Sequence, residues 1–492
     1  MLPCFFSIAM IVAAFAAGNA SGAEPEKVRQ QLTRGEYAEV IRIAQEAIGS
    51  DELNEEWRLI LGEALFAVGR YAEAREVLVP ALEKFRVSLR LRLLAYHVLR
   101  HAGDVGRAEE IFIEMDRLGG TREWAYRTPE DRIALGKIAL LVGADPKRVL
   151  ELFFDPVKKA KPEFRESYLA CGQLALDKND FALASKFFGE AARKFPEDPD
   201  AHFGLAQAFA PSDTETMGEE LEKTLKFNPN HPGARLLGAN HLIDTEQYEA
   251  AESMVADALK LNPADPKAHA YRAVIAHLRA DAKSEKEARD AALKSWANNP
   301  EVDHLIGRKL SQKYRFAEGA QRQRLALKFD PAFLPARMQL AQDLLRLGEE
   351  TEGWKLVEEV QKADPYDVVA FNLVTLKESI SHFQKLANEH FEVRMDPREA
   401  AIYGDRVLAL LERARATLTK KYGLEPKEKT IVEIFPDQKD FAIRTFGLPG
   451  GDGYLGVCFG RLITANSPAS RPNSPSNWEA VLWHEFCHVV TL

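Results

Sequence analysis

Residues 171–196 read CGQLALDKNDFALASKFFGEAARKFP. Small residues (Gly172, Ala175, Ala184, Ala191) recur at helical spacing, with Phe181 and Phe188 between them. Small positions let two helices approach closely, and the aromatic rings fill the space left beside them. The polar "DKND" between the two apolar runs is a turn, and Pro196 stops the second helix. The stretch is therefore a pair of antiparallel helices.

Working outward, the same template recurs in "LGEALFAVGRYAEAREVLVPAL" (61–82), at Gly62, Leu65, Gly69, Tyr71, Ala74, Leu78 and Ala81. It recurs again at Ala239, Leu242, Tyr248, Ala251, Val255, Ala258 and Pro263. Prolines at 196, 229, 263, 300, 331 and 365 are spaced 33, 34, 37, 31 and 34 residues apart, each after an amphipathic helix. A period in this range marks stacked helical pairs. Spacing and residue types resemble the tetratricopeptide repeat, with about ten units over residues 26–366, the first truncated ("RGEYAEVIRIAQEAI") and the third and sixth degenerate. The resemblance implies a right-handed superhelix whose concave face binds peptides or partner proteins; the other reading is a rigid support. Cys171 falls on a packed helix position. His202, His231, His241, His269 and His277 are scattered and receive no role.

The pattern changes near residue 366. "VVAFNLVTLKESISHFQKLANE" reads as a helix over 367–388 that caps the array, because a terminal repeat must cover its neighbour's apolar face. Residues 389–492 then read as a separate α+β unit. "HFEVRMD" and "TIVEIFP" are strands, and a long helix between them ends at Gly423 as C-cap. "DQKDFAIRTFG" is a short helix or turn, "YLGVCFGRLITANSP" a third strand region and "ASRPNSPSN" a polar loop. Asn477 is the N-cap of a final helix, "WEAVLWHEFCHVVTL". The fold class is thus mainly α: a repeat superhelix followed by an incomplete α+β unit.

The final helix contains His484-Glu485-Phe486-Cys487-His488. Histidines four apart project from one helix face within reach of a single ion, and Glu485 stands about 100° round the axis. The other positions are nearly all apolar, which predicts a helix buried almost all round, where two imidazoles and a carboxylate are expensive unless a metal satisfies them. "VLWHEFCHVVTL" resembles the motif helix of thermolysin-like gluzincin peptidases. Residues 389–492 resemble the N-terminal part of a peptidase MA-like, zincin-like domain found behind tetratricopeptide arrays in exported bacterial proteins. The resemblance implies a zinc cofactor on His484 and His488, Glu485 as the general base that activates water, and a substrate cleft beside the strand Gly456 to Thr464. The family takes its third ligand from a glutamate on a following helix, and no residue follows Leu492. Cys487, Cys458 and Asp452 are the upstream groups to weigh; Cys487 points 60–100° away from the histidine pair. The expectation is a fragment, because Trp483, Phe486 and Val490 would otherwise be left uncovered.

Residues 1–23 read as a signal peptide: an apolar run from Cys4 to Ala17 leads to Ser21-Gly22-Ala23, with no basic residue before the run. That predicts export to a periplasmic or extracellular compartment, with a retained membrane anchor second. Three cysteines would remain, and a Cys458–Cys487 bond stays open. A net charge of −9, spread along 492 residues, gives no electrostatic footprint for nucleic acid. Two functions follow. One is an exported zinc-dependent peptidase, or the N-terminal part of one, whose array binds substrates or partners. The alternative is a non-catalytic scaffold carrying a degenerate peptidase-like unit.

Overall fold

The computed structural model describes residues 24–473 and 476–491. The signal-peptide reading of residues 1–23 lies outside them. Among the described residues no helix is long and apolar enough to cross a membrane.

Ten helical pairs run from Pro25–Thr33 with Tyr37–Ser50 to Leu334–Arg346 with Glu350–Ala363. Phe188 is buried as the template requires, wedged between Gly172 of its own pair and Gly204 of the next. Phe181 is only half-buried. The most distorted helical geometry is in the fourth unit, while the sixth lacks the left-handed turn residue of the others. In the fourth, Pro156 lacks the N–H that an unbroken helix needs, and Leu150–Phe154 form a π-type turn between two short helical pieces.

Successive superhelical turns touch. Asn228 Nδ2 donates to the Thr33 carbonyl and Asn230 Nδ2 to that of Gly35, both at 3.0 Å. Asn262 Nδ2 donates to the Tyr71 hydroxyl at 3.0 Å. The Arg100 guanidinium sits 3.9 Å from the centroid of the Trp296 ring, and the Val368 N–H donates to the Lys178 carbonyl at 3.1 Å. The concave face of the first units is a cavity of about 850 Å3 lined by charge, including Arg29, Glu56, Glu63, Arg90 and Lys137.

Beyond the array lies a five-stranded sheet: β1 (Gln384–Ala387), β2 (Phe391–Met395), β3 (Thr430–Phe435), β4 (Gly456–Cys458) and β5 (Leu462–Asn466), in the order β1-β2-β3-β5-β4. β2, β3 and β5 are parallel, and both edge strands pair antiparallel to their neighbours. β3 and β5 are buried on both faces, as parallel centre strands must be. One sheet face packs on the long helix Pro397–Tyr422 and the motif helix Trp478–Thr491, through Val393, Val432, Ile463, Leu411 and Phe486. The other packs on the capping helix Val368–Ser381, the short helix Gln438–Phe446 and the last repeats.

Three sequence expectations need correction. The capping helix stops at Ser381 rather than reaching 388, because Gln384–Ala387 pair antiparallel with β2 from Gln384↔Met395 to Ala387↔Glu392. The third strand region is two strands, with Gly460 at φ +87° in the turn between them. The 389–492 unit is also not separate from the array. Phe316, Trp354 and Leu373 share one hydrophobic core with Phe435, Phe441 and Phe459. Arg461 donates to the carbonyls of Leu347 and Gly348, and Arg444 to that of Leu345.

Candidate functional site

The motif helix begins where expected: Asn477 Oδ1 accepts the Ala480 N–H at 3.1 Å. Leu482, Phe486 and Val490 form its buried face, with the Phe486 ring 5.2 Å from that of Phe391. The opposite stripe is not covered. His484 is exposed, and Trp483, Cys487, His488 and Val489 are half-buried. The helix is therefore not buried all round, and the histidines need no metal to offset desolvation. Nor are Phe486 and Val490 left bare, since the sheet and the long helix already cover them. Apolar residues around the axis showed what the helix is made of, not which side has a neighbour.

The two imidazoles converge as i,i+4 spacing requires. Their Nε2 atoms lie 3.1 Å apart with the rings nearly perpendicular. One ring donates to the other in a suitable tautomer, and with both nitrogens unprotonated the pair presents two lone pairs to one cation. Imidazole nitrogen suits zinc, so these two donors fit that ion. Among the described residues no group of three or more His, Cys, Asp or Glu side chains converges. Cys458 does not supply a third donor: its Sγ donates to the Gly460 carbonyl, and burial pushes its pKa up to about 12. Cys487 points to the Tyr422 hydroxyl, 3.9 Å away. Cys458 and Cys487 are both free, so the bond left open by the sequence is absent.

Glu485 is the buried member of the motif, 7% exposed beneath β4. A Cβ at Gly456 would stand 2.8 Å from Glu485 Cγ and from Val481 Cγ1, and 3.1 Å from Glu485 Oε1. Only glycine lets the strand lie this close to the helix. Burial raises the Glu485 pKa above the ordinary carboxylate value, while the His484 charge and the Cys458 backbone amide pull it back. β4 is also the edge of the sheet. The Phe459 N–H donates to the Leu462 carbonyl and the Asn466 N–H to that of Leu455, so Leu455, Val457 and Phe459 face β5. By antiparallel alternation, Gly456 and Cys458 turn their backbone polar groups to the other side.

The structure thus sets Glu485 against Gly456 of β4, converges His484 and His488 on the same helix, and leaves Asp452 in a turn before β4. Sequence reasoning missed two features: the close approach at Gly456, and the contribution of the repeats to this region. The second left a trace. Glycines with positive φ recur 34 residues apart at Gly35, Gly69 and Gly103, but the equivalent turn of the ninth unit holds the aromatic Tyr314.

Tetratricopeptide repeat family models match residues 31–95, 169–212 and 219–275. An uncharacterized protein of Aquifex aeolicus (strain VF5) is 27% identical over 224 residues, covering 44% of this chain. The chain spans 28% of the length of that relative. Among solved structures, yeast Tom70 aligns at 14% identity with a TM-score of 0.35, covering 72% of this chain and 88% of Tom70. A thermophilic tetratricopeptide repeat protein of Thermus thermophilus aligns at 20% identity with a TM-score of 0.32, covering 37% of this chain and all of that one. Superpositions this loose say nothing of what this chain binds. The matched segments and the ten helical pairs give one conclusion: the chain carries a tetratricopeptide repeat array.

Proposed function

We propose that the chain is the peptide-handling part of an exported zinc-dependent peptidase, its array binding protein partners or substrates beside the motif helix. The observation that carries this reading is the juxtaposition at β4: two converged imidazoles and a buried carboxylate against a sheet edge with outward-facing backbone. His484 and His488 would hold zinc, which when bound supplies Lewis acidity toward a peptide carbonyl. Glu485 takes a proton from water at its carboxylate, and its raised proton affinity suits that role. The outward N–H and C=O of Gly456 pair with an extended peptide. Export rests on the apolar run from Cys4 to Ala17.

The matched repeat segments also support a second reading, a non-catalytic scaffold that binds protein partners through its array. Deleting residues 389–492 does not separate the two readings, because the deletion strips cover from Phe316, Trp354 and Leu373. Point variants do. With zinc supplied, the peptidase reading expects cleavage of an unfolded protein such as casein, lost in Glu485→Gln. No cleavage, together with peptide binding unchanged in His484→Ala and His488→Ala, establishes the scaffold.

A further inference from the structure

The inter-helix turn of every repeat but the sixth holds one residue with left-handed backbone. Five turns do so with Gly35, Gly69, Gly103, Gly143 and Gly348, and others with Asn179, Glu246 and Ala280. The ninth unit alone places an aromatic residue there, Tyr314 at φ +61°. A bulky side chain in that conformation is disfavoured by roughly 1 kcal/mol. Tyr314 packs 5.4 Å from the Phe316 ring and yet stays 56% exposed. Its ring stacks on Phe459 at 6.2 Å and 22°, but Phe459 is already covered by Phe316 at 5.6 Å and by the Arg346 guanidinium.

Phe459 follows Cys458, so Tyr314 reaches the end of β4 on the sheet face that the last repeats cover. Tyr454 is itself 54% exposed and packs 5.1 Å from the half-exposed ring of Phe446. Exposed aromatic rings thus stand at both ends of β4, Tyr454 before it and Tyr314 on Phe459 after it.

We infer that Tyr314 forms a specificity subsite that takes one apolar side chain of an extended peptide laid along β4. The repeat array is then part of the cleft and not only a tether to it. The inference rests on the reading of β4 as a peptide-binding edge. Its chemistry is ordinary: aromatic faces bury an apolar group, while the Gly456 backbone fixes the strand that carries it.

The test uses the chain in EDTA, so that no turnover competes, and two fluorescein-labelled decapeptides that differ only in a central Phe or Ala. Anisotropy is expected to show about tenfold tighter binding of the Phe peptide. Tyr314→Gly installs the residue used by the repeat's own template, so its melting temperature should stay within about 2 °C of wild type or rise. Its preference for Phe should fall below about threefold, and Tyr314→Phe should keep the preference. Full preference retained in Tyr314→Gly overturns the subsite and leaves the β4 cleft standing, and a lowered melting temperature beside it assigns Tyr314 a structural role. Saturable binding by neither peptide, or binding that survives Gly456→Val, overturns the cleft reading and this inference together.

Discussion

Replacing Gly456 by alanine tests the geometry of the site with one methyl group. The new Cβ stands 2.8 Å from Glu485 Cγ and 2.8 Å from Val481 Cγ1, where carbon contacts settle at about 3.5–4.0 Å. Glu485 has three side-chain torsions and can turn aside. Val481 is β-branched on a helix and has essentially one rotamer. The strain therefore passes to the backbone, and the motif helix must move off β4. Overpacking of this kind costs about 1–3 kcal/mol, which is roughly a 5- to 150-fold loss of hydrogen-exchange protection in the segment that yields. Exchange followed by mass spectrometry should show that loss in peptides covering residues 478–491, with repeats before residue 300 unchanged. The buried Cys458 thiol should react faster with a disulfide reagent in the same variant. Unchanged protection of 478–491, or an equal loss across the array, would refute the close packing of β4 on this helix.

Three further outcomes follow from buried or seam residues. The Glu485 pKa is raised on folding, so its contribution favours the fold below the unfolded carboxylate pKa and is lost as pH rises through the folded value. Glu485→Gln should thus be more stable than wild type at pH 8 in urea titrations, and the difference should vanish below about pH 4. Asp343, fully buried at the junction with the sheet, is pushed up to about 7 by burial against the pull of Arg346, Gln339 and Ser311. Asp343→Asn should gain stability over wild type on the order of 1–3 kcal/mol above pH 7 and show no gain near pH 3. Trp296→Ala removes the ring on which Arg100 packs across the superhelical seam, so small-angle scattering should record a larger maximum dimension. An unchanged dimension would mean that the remaining seam contacts set the pitch.

The array was legible because every unit repeats one packing problem, and Gly172 facing Phe188 is a local consequence of helix geometry. The convergence of His484 and His488 was legible for the same reason, since i,i+4 spacing belongs to the helix alone. β1 was not. "FQKLA" has no strand alternation, and only pairing with β2 makes it extended. The burial of the motif helix was misread because Trp483, Cys487 and Val489 are apolar yet only half-covered, and no periodicity reports a missing neighbour. The approach of Gly456 to Glu485, and that of Tyr314 to Phe459 across 145 residues, depend on how the two parts of the chain dock. Only the aromatic Tyr314, in a turn that elsewhere takes small or polar residues, hinted at the second.

The peptidase reading requires His484 and His488 to act together as metal donors beside Glu485. Titration of the purified chain with cobalt(II), followed by visible absorption, tests it most directly, because d–d bands report imidazole coordination without requiring turnover. The bands are expected to saturate at one cobalt per chain, to be displaced by zinc, and to disappear in His484→Ala and in His488→Ala alike. Bands that persist in both variants, or no bands in the wild type at millimolar cobalt, would contradict it.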